Sequence, residues 1–473
     1  MKGDLGTNPQ YDFSLIHKFA IEDTYLVLDI NSGAVHTLSK EAWDFLAAWE
    51  KAGGDWERIT PPEGLSDEDF AGIKAAFAEL VAAGALFSQN EVQENFEPRD
   101  EKIVKALCLH VAHDCNLRCK YCFAGTGPFG ADRSLMDAKT GKKALDFLFA
   151  ASGARQHVEV DYFGGEPLLN FAVAKELVKY GKEKARETGK TLKQTLTTNA
   201  VLLNEEIIDY LNREGLYLIL SIDGRPEVHD KMRPLTGGQG SFALVDRKIS
   251  EFVKKQQAGT YYVRGTYTHF NLDFCADILY LVDHGYDRLS LEPVVASPEQ
   301  EYALREEDLP VLKQQYALLA QKWLQYYEQG KPFQFFHFNI DLNKGPCLLK
   351  RLSGCGAGNE YLAVSPAGDL YPCHQFMENK EFLMGNVFTG VQNESLRQTF
   401  RKAHVFNKEK CRNCWARFFC SGGCHANAYN FHRDLLQPYE LGCELQKTRL
   451  EYGIYLQVKV WQKQQEVAAG SAK

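Results

Sequence analysis

Cys115-Asn116-Leu117-Arg118-Cys119-Lys120-Tyr121-Cys122 sets three thiols in eight residues, directly after the apolar run 106–111. The Cx3Cx2C spacing is too tight for mutual disulfides, so it reads as a metal site. Iron–sulfur clusters are held by Cys thiolates at such spacings. A structural zinc wants four closed ligands, and His113 stands close enough in sequence to supply one.

From 106 to about 295 the chain alternates strand and helix patterns. Strands are expected near 106–111, 158–163, 194–198, 217–222, 261–267 and 288–293, giving six β/α units. Such alternation argues for a parallel sheet, with binding residues at the C-terminal ends of the strands. Polar motifs do gather there. Gly164-Gly165-Glu166-Pro167 follows the second strand, Thr198-Asn199-Ala200 the third, and Ser221-Ile222-Asp223-Gly224 the fourth, with His229-Asp230 and Arg233 just beyond. Arg233 is a permanent cation with a planar fork suited to a carboxylate, and Arg264 on the fifth strand is an alternative.

These motifs together resemble the radical SAM (radical S-adenosyl-L-methionine) family, whose fold is a partial (β/α)6 barrel. The resemblance implies a [4Fe-4S] cluster on Cys115, Cys119 and Cys122, with SAM chelating the remaining iron through its amino and carboxylate groups. It also implies that the edge of Gly164, Gly165, Glu166 and Pro167 contacts the SAM amino group, and that Thr198 and Asn199 match a TTNG-like element in which Ala200 replaces glycine. Ser221, Asp223 and Arg233 match an SxDG...HDxxR pattern in which Ser and Arg hold the SAM carboxylate; Arg264 is the other candidate clamp. Phe123 is expected near the adenine, and Leu291 or Glu292 on the adenine or substrate side.

A second cysteine-rich region follows a long helix expected over 309–330. Cys355, Gly368 and Cys373 precede a Cx2Cx5Cx3C run of Cys411, Cys414, Cys420 and Cys424, and Cys443 closes the series. This order resembles the SPASM signature. By that resemblance one auxiliary [4Fe-4S] cluster takes Cys347, Cys355, Cys373 and Cys424, and another takes Cys411, Cys414, Cys420 and Cys443. Cys347 is the doubtful ligand: without it, the open iron would be free for a substrate thiolate. His374, with an unperturbed pKa near neutrality, is the candidate catalytic base or else a hydrogen-bond donor. Cys108 and Cys275 read as buried structural thiols.

Residues 1–90 contain no cysteine. Short strands are expected over 15–20, 25–29 and 34–38, then helices over 40–51 and 67–83 capped by turn chemistry. The helices lack the Lys/Arg stripe that phosphate binding needs, so DNA reading is disfavoured. The order of elements resembles the winged-helix (PqqD-like) recognition element of peptide maturases, in which a leader peptide adds as a strand; the edge at 34–38 is the candidate.

With 473 residues, 45% hydrophobic and 25% charged, the composition is that of a globular multidomain chain. A net charge of −8 argues against nucleic acid as main partner. No membrane span or signal segment is read, so a cytoplasmic, oxygen-sensitive protein is expected. The expected division is a leader-binding module at 1–90, a linker at 91–105, the barrel at 106–300, a helical bridge at 301–345, the SPASM domain at 346–450, and a C-terminal helix and tail at 451–473. This layout resembles the SCIFF (six-cysteine peptide) maturases. It implies thioether formation in a Cys-rich precursor peptide, three [4Fe-4S] clusters, SAM, and an external electron donor such as flavodoxin or ferredoxin. Two alternatives stay open: an anaerobic sulfatase-maturating enzyme, where an Asp stands in place of His374, and a non-catalytic iron–sulfur redox protein.

Overall fold

A computed structural model describes residues 11–62, 64–89, 96, 98, 102–256, 261–342 and 348–471. The N-terminal strands form an antiparallel sheet in the order β1 (Ile16–Ile21), β2 (Thr24–Asp29), β3 (Val35–Leu38). Helices Lys40–Lys51 and Asp67–Ala82 follow, each started by a serine: Ser39 accepts from the Ala42 amide and Ser66 from the Asp69 amide. Strand alternation divides the sheet. Val27 joins Phe45, Leu46, Trp49, Phe70 and Phe77 on the helix side, whereas Phe19, Leu26 and Leu28 join the main core of the molecule.

That second face seats the module on the C-terminal third of the chain. His17 of β1 stacks on Trp415 with ring centroids 3.8 Å apart and planes 3° from parallel, and its Nε2 lies 2.9 Å from Glu451. Arg417 donates to Asn31 at 2.6 Å. Tyr455 donates to Glu22 at 3.2 Å. Strand β3 pairs with β2 on one side and, among the described residues, with no strand on the other.

The main sheet is built around β4 (Ala106–His113), with the two-residue β5 (Ser134–Leu135) antiparallel to its end. Running outward from β4 come β6 (His157–Gly164), β7 (Thr191–Thr198), β8 (Tyr217–Ser221), β9 (Tyr261–Tyr267) and β10 (Arg288–Pro293), all parallel. These are the six expected strands. A short β11 (Gln334–Phe335) extends the β10 edge.

The opposite edge does not end at β4. Strand β12 (Tyr361–Val364) pairs parallel with it, and β13 (Asp369–Tyr371), β14 (Gly385–Asn386) and β15 (Gly390–Val391) continue antiparallel. One open sheet therefore joins the barrel strands to the second cysteine region.

Period-two alternation gives this sheet two unlike faces. Val158, Val160, Tyr162, Leu218, Leu220, Tyr261, Val263, Leu289 and Leu291 are buried under the helix layer. Asp161, Phe163, Thr197, Ser221, Arg264, Thr266 and Glu292 occupy the other, partly open face. Leu291 is thus a core residue rather than a lining one: it shares parity with Leu289, and the adjacent Glu292 takes the open side. Among the described residues, no helix is long and apolar enough to cross a membrane.

Candidate iron–sulfur and SAM site

The cysteine loop leaves the end of β4 and is clamped from two directions. The Arg118 and Lys120 amides donate to the carbonyls of Pro234 and Met232 at 2.9 Å each. On the other side, the Gly165 and Glu166 amides donate to Ala112 and Asp114 at 2.8 Å. The two glycines are required by that approach: a Cβ on Gly164 would lie 2.2 Å from the Ala112 carbonyl oxygen, and one on Gly165 would lie 2.2 Å from that of Asp114.

The side chains of Glu166 and Asp223 turn inward, leaving the backbone of Gly164-Gly165-Glu166-Pro167 as the edge that the resemblance assigns to the SAM amino group. Both are fully buried. The Glu166 carboxylate accepts from Thr198 Oγ1 at 2.8 Å and from the Asn199 and Leu168 amides at 2.8 and 2.9 Å. It thereby locks the third strand end to the second, consuming the Thr198 hydroxyl and leaving Pro167 buried. Burial raises its pKa to about 7 despite those donors. Ala200, standing where the family has glycine, takes φ +65°.

Asp223 is the other internal tie. It accepts from Tyr121 in the cysteine loop, from Arg233 Nε at 2.9 Å and from the Thr266 amide at 2.9 Å. His229 supports the same turn. Its Nδ1 accepts from the Asp223 amide, so Nε2 carries the proton, 2.9 Å from Ser241 Oγ, which itself donates to the Arg233 carbonyl. Burial lowers the His229 pKa to about 4, consistent with a neutral ring.

What remains open to a ligand is a smaller set. Asn199 Nδ2 reaches Cys115 Sγ at 3.6 Å and Asn116 at 2.8 Å. Phe123 is half exposed. Ser221 and Arg264 are direct cross-strand partners on the open face, and Arg264 is far more exposed than Arg233. A carboxylate held by Ser221 and Arg264, or by the free end of Arg233, fits this geometry.

The thiols sort by proximity into three sets. Cys115, Cys119 and Cys122 lie within one another's electrostatic reach, as do Cys355, Cys373 and Cys424, and as do Cys411, Cys414, Cys420 and Cys443. Burial lifts Cys115 to about 12 and Cys411 to about 11, so these thiols ionise only with a metal to hold the charge. Cys347 lies outside the described residues. The last set lines a cavity of about 180 Å³, several times the volume of one water, which suits a multi-iron cluster rather than a lone ion. Four-thiolate cages are the donor sets such clusters use, so the residues fit.

Sequence reasoning overlooked Lys408. It is fully buried, donates to the Gly422 carbonyl at 2.7 Å, and faces Cys411, Cys420 and Cys443 of one cage and Cys424 of the other. No spacing rule marks a lone lysine; only the fold brings it between the cages. Because nearby charge sets cluster potentials, Lys408→Met is expected to lower the midpoint potential of an auxiliary cluster, read by anaerobic redox titration with electron paramagnetic resonance.

His374 follows Cys373 at the start of the short turn His374–Phe376. Its ring lies 5.3 Å from that of Phe123 and 5.2 Å from that of Phe163, and its Nδ1 is 3.2 Å from Tyr361 OH. Burial lowers it to about 4, against the near-neutral value expected from sequence. The cysteine loop and the Cys373 turn thus meet through the side chains of Phe123 and His374.

The chain is 23% identical over 381 residues to a serine-type anaerobic sulfatase-maturating enzyme of Klebsiella aerogenes, covering 75% of this chain and 90% of that protein. A match to an uncharacterized protein of Methanocaldococcus jannaschii, 29% identical over 190 residues, takes in 40% of this chain and less than two-thirds of that one, 62%. The fold resembles native anSMEcpe with bound AdoMet (TM-score 0.63, 20% identity, 75% of this chain and 98% of that one). It also resembles Streptococcus suis SuiB bound to precursor peptide SuiA (TM-score 0.52, 16% identity, 91% and 98%). Residues 109–268 match the Radical SAM superfamily and residues 355–415 the SPASM iron–sulfur cluster-binding domain, so the chain joins a radical SAM domain to a SPASM domain.

Proposed function

We propose that this protein is a radical SAM peptide maturase that forms Cys thioether crosslinks in a ribosomally made, Cys-rich precursor peptide. The observation that carries the reading is a contact between the two cysteine regions: Phe123 of the first loop lies 5.3 Å, ring to ring, from His374, the neighbour of Cys373. A substrate bound where these two segments meet would be within reach of both hydrogen abstraction and an electron acceptor. SAM bound at the first cluster supplies the hydrogen-abstracting chemistry. The chain's own residues seat it: Asn199 beside Cys115, Phe123 against the adenine, Ser221 with Arg264 or Arg233 on the carboxylate.

The N-terminal sheet supports a peptide substrate. Strand β3 is paired on one side only among the described residues and is the edge onto which a leader strand would add, with main-chain hydrogen bonds for affinity. The relatives bear on the same point, since one is bound to its precursor peptide and another is a sulfatase-maturating enzyme. The latter favours a second reading, oxidation of a Cys or Ser side chain. Here His374 stands where that family places its Asp.

Cluster-reconstituted protein with SAM, reductant and a Cys-rich precursor peptide is expected to remove two hydrogens per crosslink and to render one Cys per crosslink resistant to alkylation, read by tandem mass spectrometry. A gain of a formylglycine residue instead would favour the sulfatase-type reading.

A further inference from the structure

Across the open face of the sheet runs a row of protonatable side chains that sequence motifs do not explain. Asp161 on β6 is the cross-strand partner of Cys108 on β4 and of Thr195 on β7. Cys108 interacts with the Tyr361 hydroxyl, and that hydroxyl contacts His374. Asp161 is two residues from Phe163, so about 6–7 Å along the strand from the Phe123–Phe163–His374 platform that borders both the SAM loop and the Cys373 turn.

The other acidic groups near this row are committed. Glu166 and Asp223 hold strand ends together, as described above. Glu292 is flanked by His337 at 3.2 Å, Arg264 at 3.6 Å and Arg449 at 3.7 Å. Asp161 differs. Among the described residues it has one long hydrogen bond, 3.4 Å from Thr197 Oγ1, and no ion pair, and the residue is half-buried on the open face of the sheet.

We propose that Asp161 is the catalytic proton acceptor for the attacking thiol of the substrate peptide, an inference that rests on the thioether reading. The step is a proton transfer alone: the substrate S–H bond breaks, its electron pair stays on sulfur, and the proton forms an O–H bond on the Asp161 carboxylate. No electron moves and no further reactant is needed. The carboxylate replaces His374 in this role because the imidazole is packed among aromatic rings with Nδ1 turned to Tyr361.

The surroundings poise it for this work. Burial pushes Asp161 up to about 7, opposed by the Thr197 hydrogen bond and by Arg264 on β9 and Lys193 on the neighbouring β7. Cys108 and Tyr361, the titratable groups facing it from β4 and β12, are themselves pushed upward by burial and stay neutral. A base near the working pH is the most effective kind.

The test uses the holoenzyme with SAM and the Cys-rich peptide, comparing crosslinks formed with 5′-deoxyadenosine released. Asp161→Asn is expected to cut the crosslinking rate about 100-fold or more, raise the ratio of 5′-deoxyadenosine to crosslink, and abolish a rate limb that rises through pH 7 in the wild type; Asp161→Glu restores part of the rate. Thr197→Val removes a hydrogen bond that favours the charged form, so it moves the limb to higher pH. Wild-type crosslinking and an unchanged limb in Asp161→Asn overturn the proposal, as does a Thr197→Val limb that stays in place if the Asn variant loses its clusters. If the wild type itself makes no thioether, the underlying reading fails, and that result is seen before any variant is made.

Discussion

Replacement of Cys115, Cys119 and Cys122 together by alanine is expected to abolish 5′-deoxyadenosine formation and to remove about four iron atoms per chain, while the auxiliary cages keep theirs. The structure offers no substitute donors in that loop. Asp223 is fully buried and bound to Tyr121, Arg233 and Thr266, and Asn199 approaches Cys115 only as an amide donor. His113, the alternative zinc ligand read from sequence, is buried and lies against His110, at 3.1 Å, on β4. Iron and sulfide quantification with chromatography of the SAM products measures both effects. Retention of all iron in the triple variant would place the first cluster elsewhere.

Asp223→Ala should have the second largest effect. It strips the carboxylate that joins the cysteine loop, the fourth and fifth strand ends and Arg233, and it leaves the Arg233 guanidinium, mostly buried, without its counter-charge. Breaking a buried pair from one side costs about 3–5 kcal/mol. Stability and SAM affinity should therefore fall together, measured by thermal melting and equilibrium SAM binding under anaerobic conditions. Asp223→Asn keeps an oxygen for the Thr266 amide but loses the charge, so its defect should be smaller. Arg233→Lys, in contrast, retains charge but not the fork.

Much of this site was legible from sequence because its chemistry is local. The described cysteines of each set that the resemblance implies lie within one another's electrostatic reach, and the six expected strands lie within a few residues of their expected ends. Local motifs mislead where side-chain direction matters. The run Gly164-Gly165-Glu166-Pro167 was read as one cofactor edge, yet the fold spends the Glu166 carboxylate on Thr198 and Asn199. Of Leu291 and Glu292, the pair expected on the adenine or substrate side, strand parity with Leu289 puts Leu291 under the helices and Glu292 on the open face. Asp161 and Lys408 carry no motif at all, and both become visible only when distant segments meet: Cys108 and Tyr361 beside the first, two thiol cages around the second. The docking of β1 through His17 and Trp415 joins positions 398 residues apart, beyond the reach of any periodicity.

In the proposed reaction, hydrogen abstraction and thioether closure are one coupled event where the cysteine loop meets the Cys373 turn. The most direct test is the stoichiometry of 5′-deoxyadenosine to crosslinks in a single anaerobic incubation with a Cys-rich precursor peptide. The account predicts about one 5′-deoxyadenosine for each crosslink, because each closure needs one abstraction. Crosslinks formed without 5′-deoxyadenosine, or sustained 5′-deoxyadenosine release with every peptide thiol still open to alkylation, would contradict it.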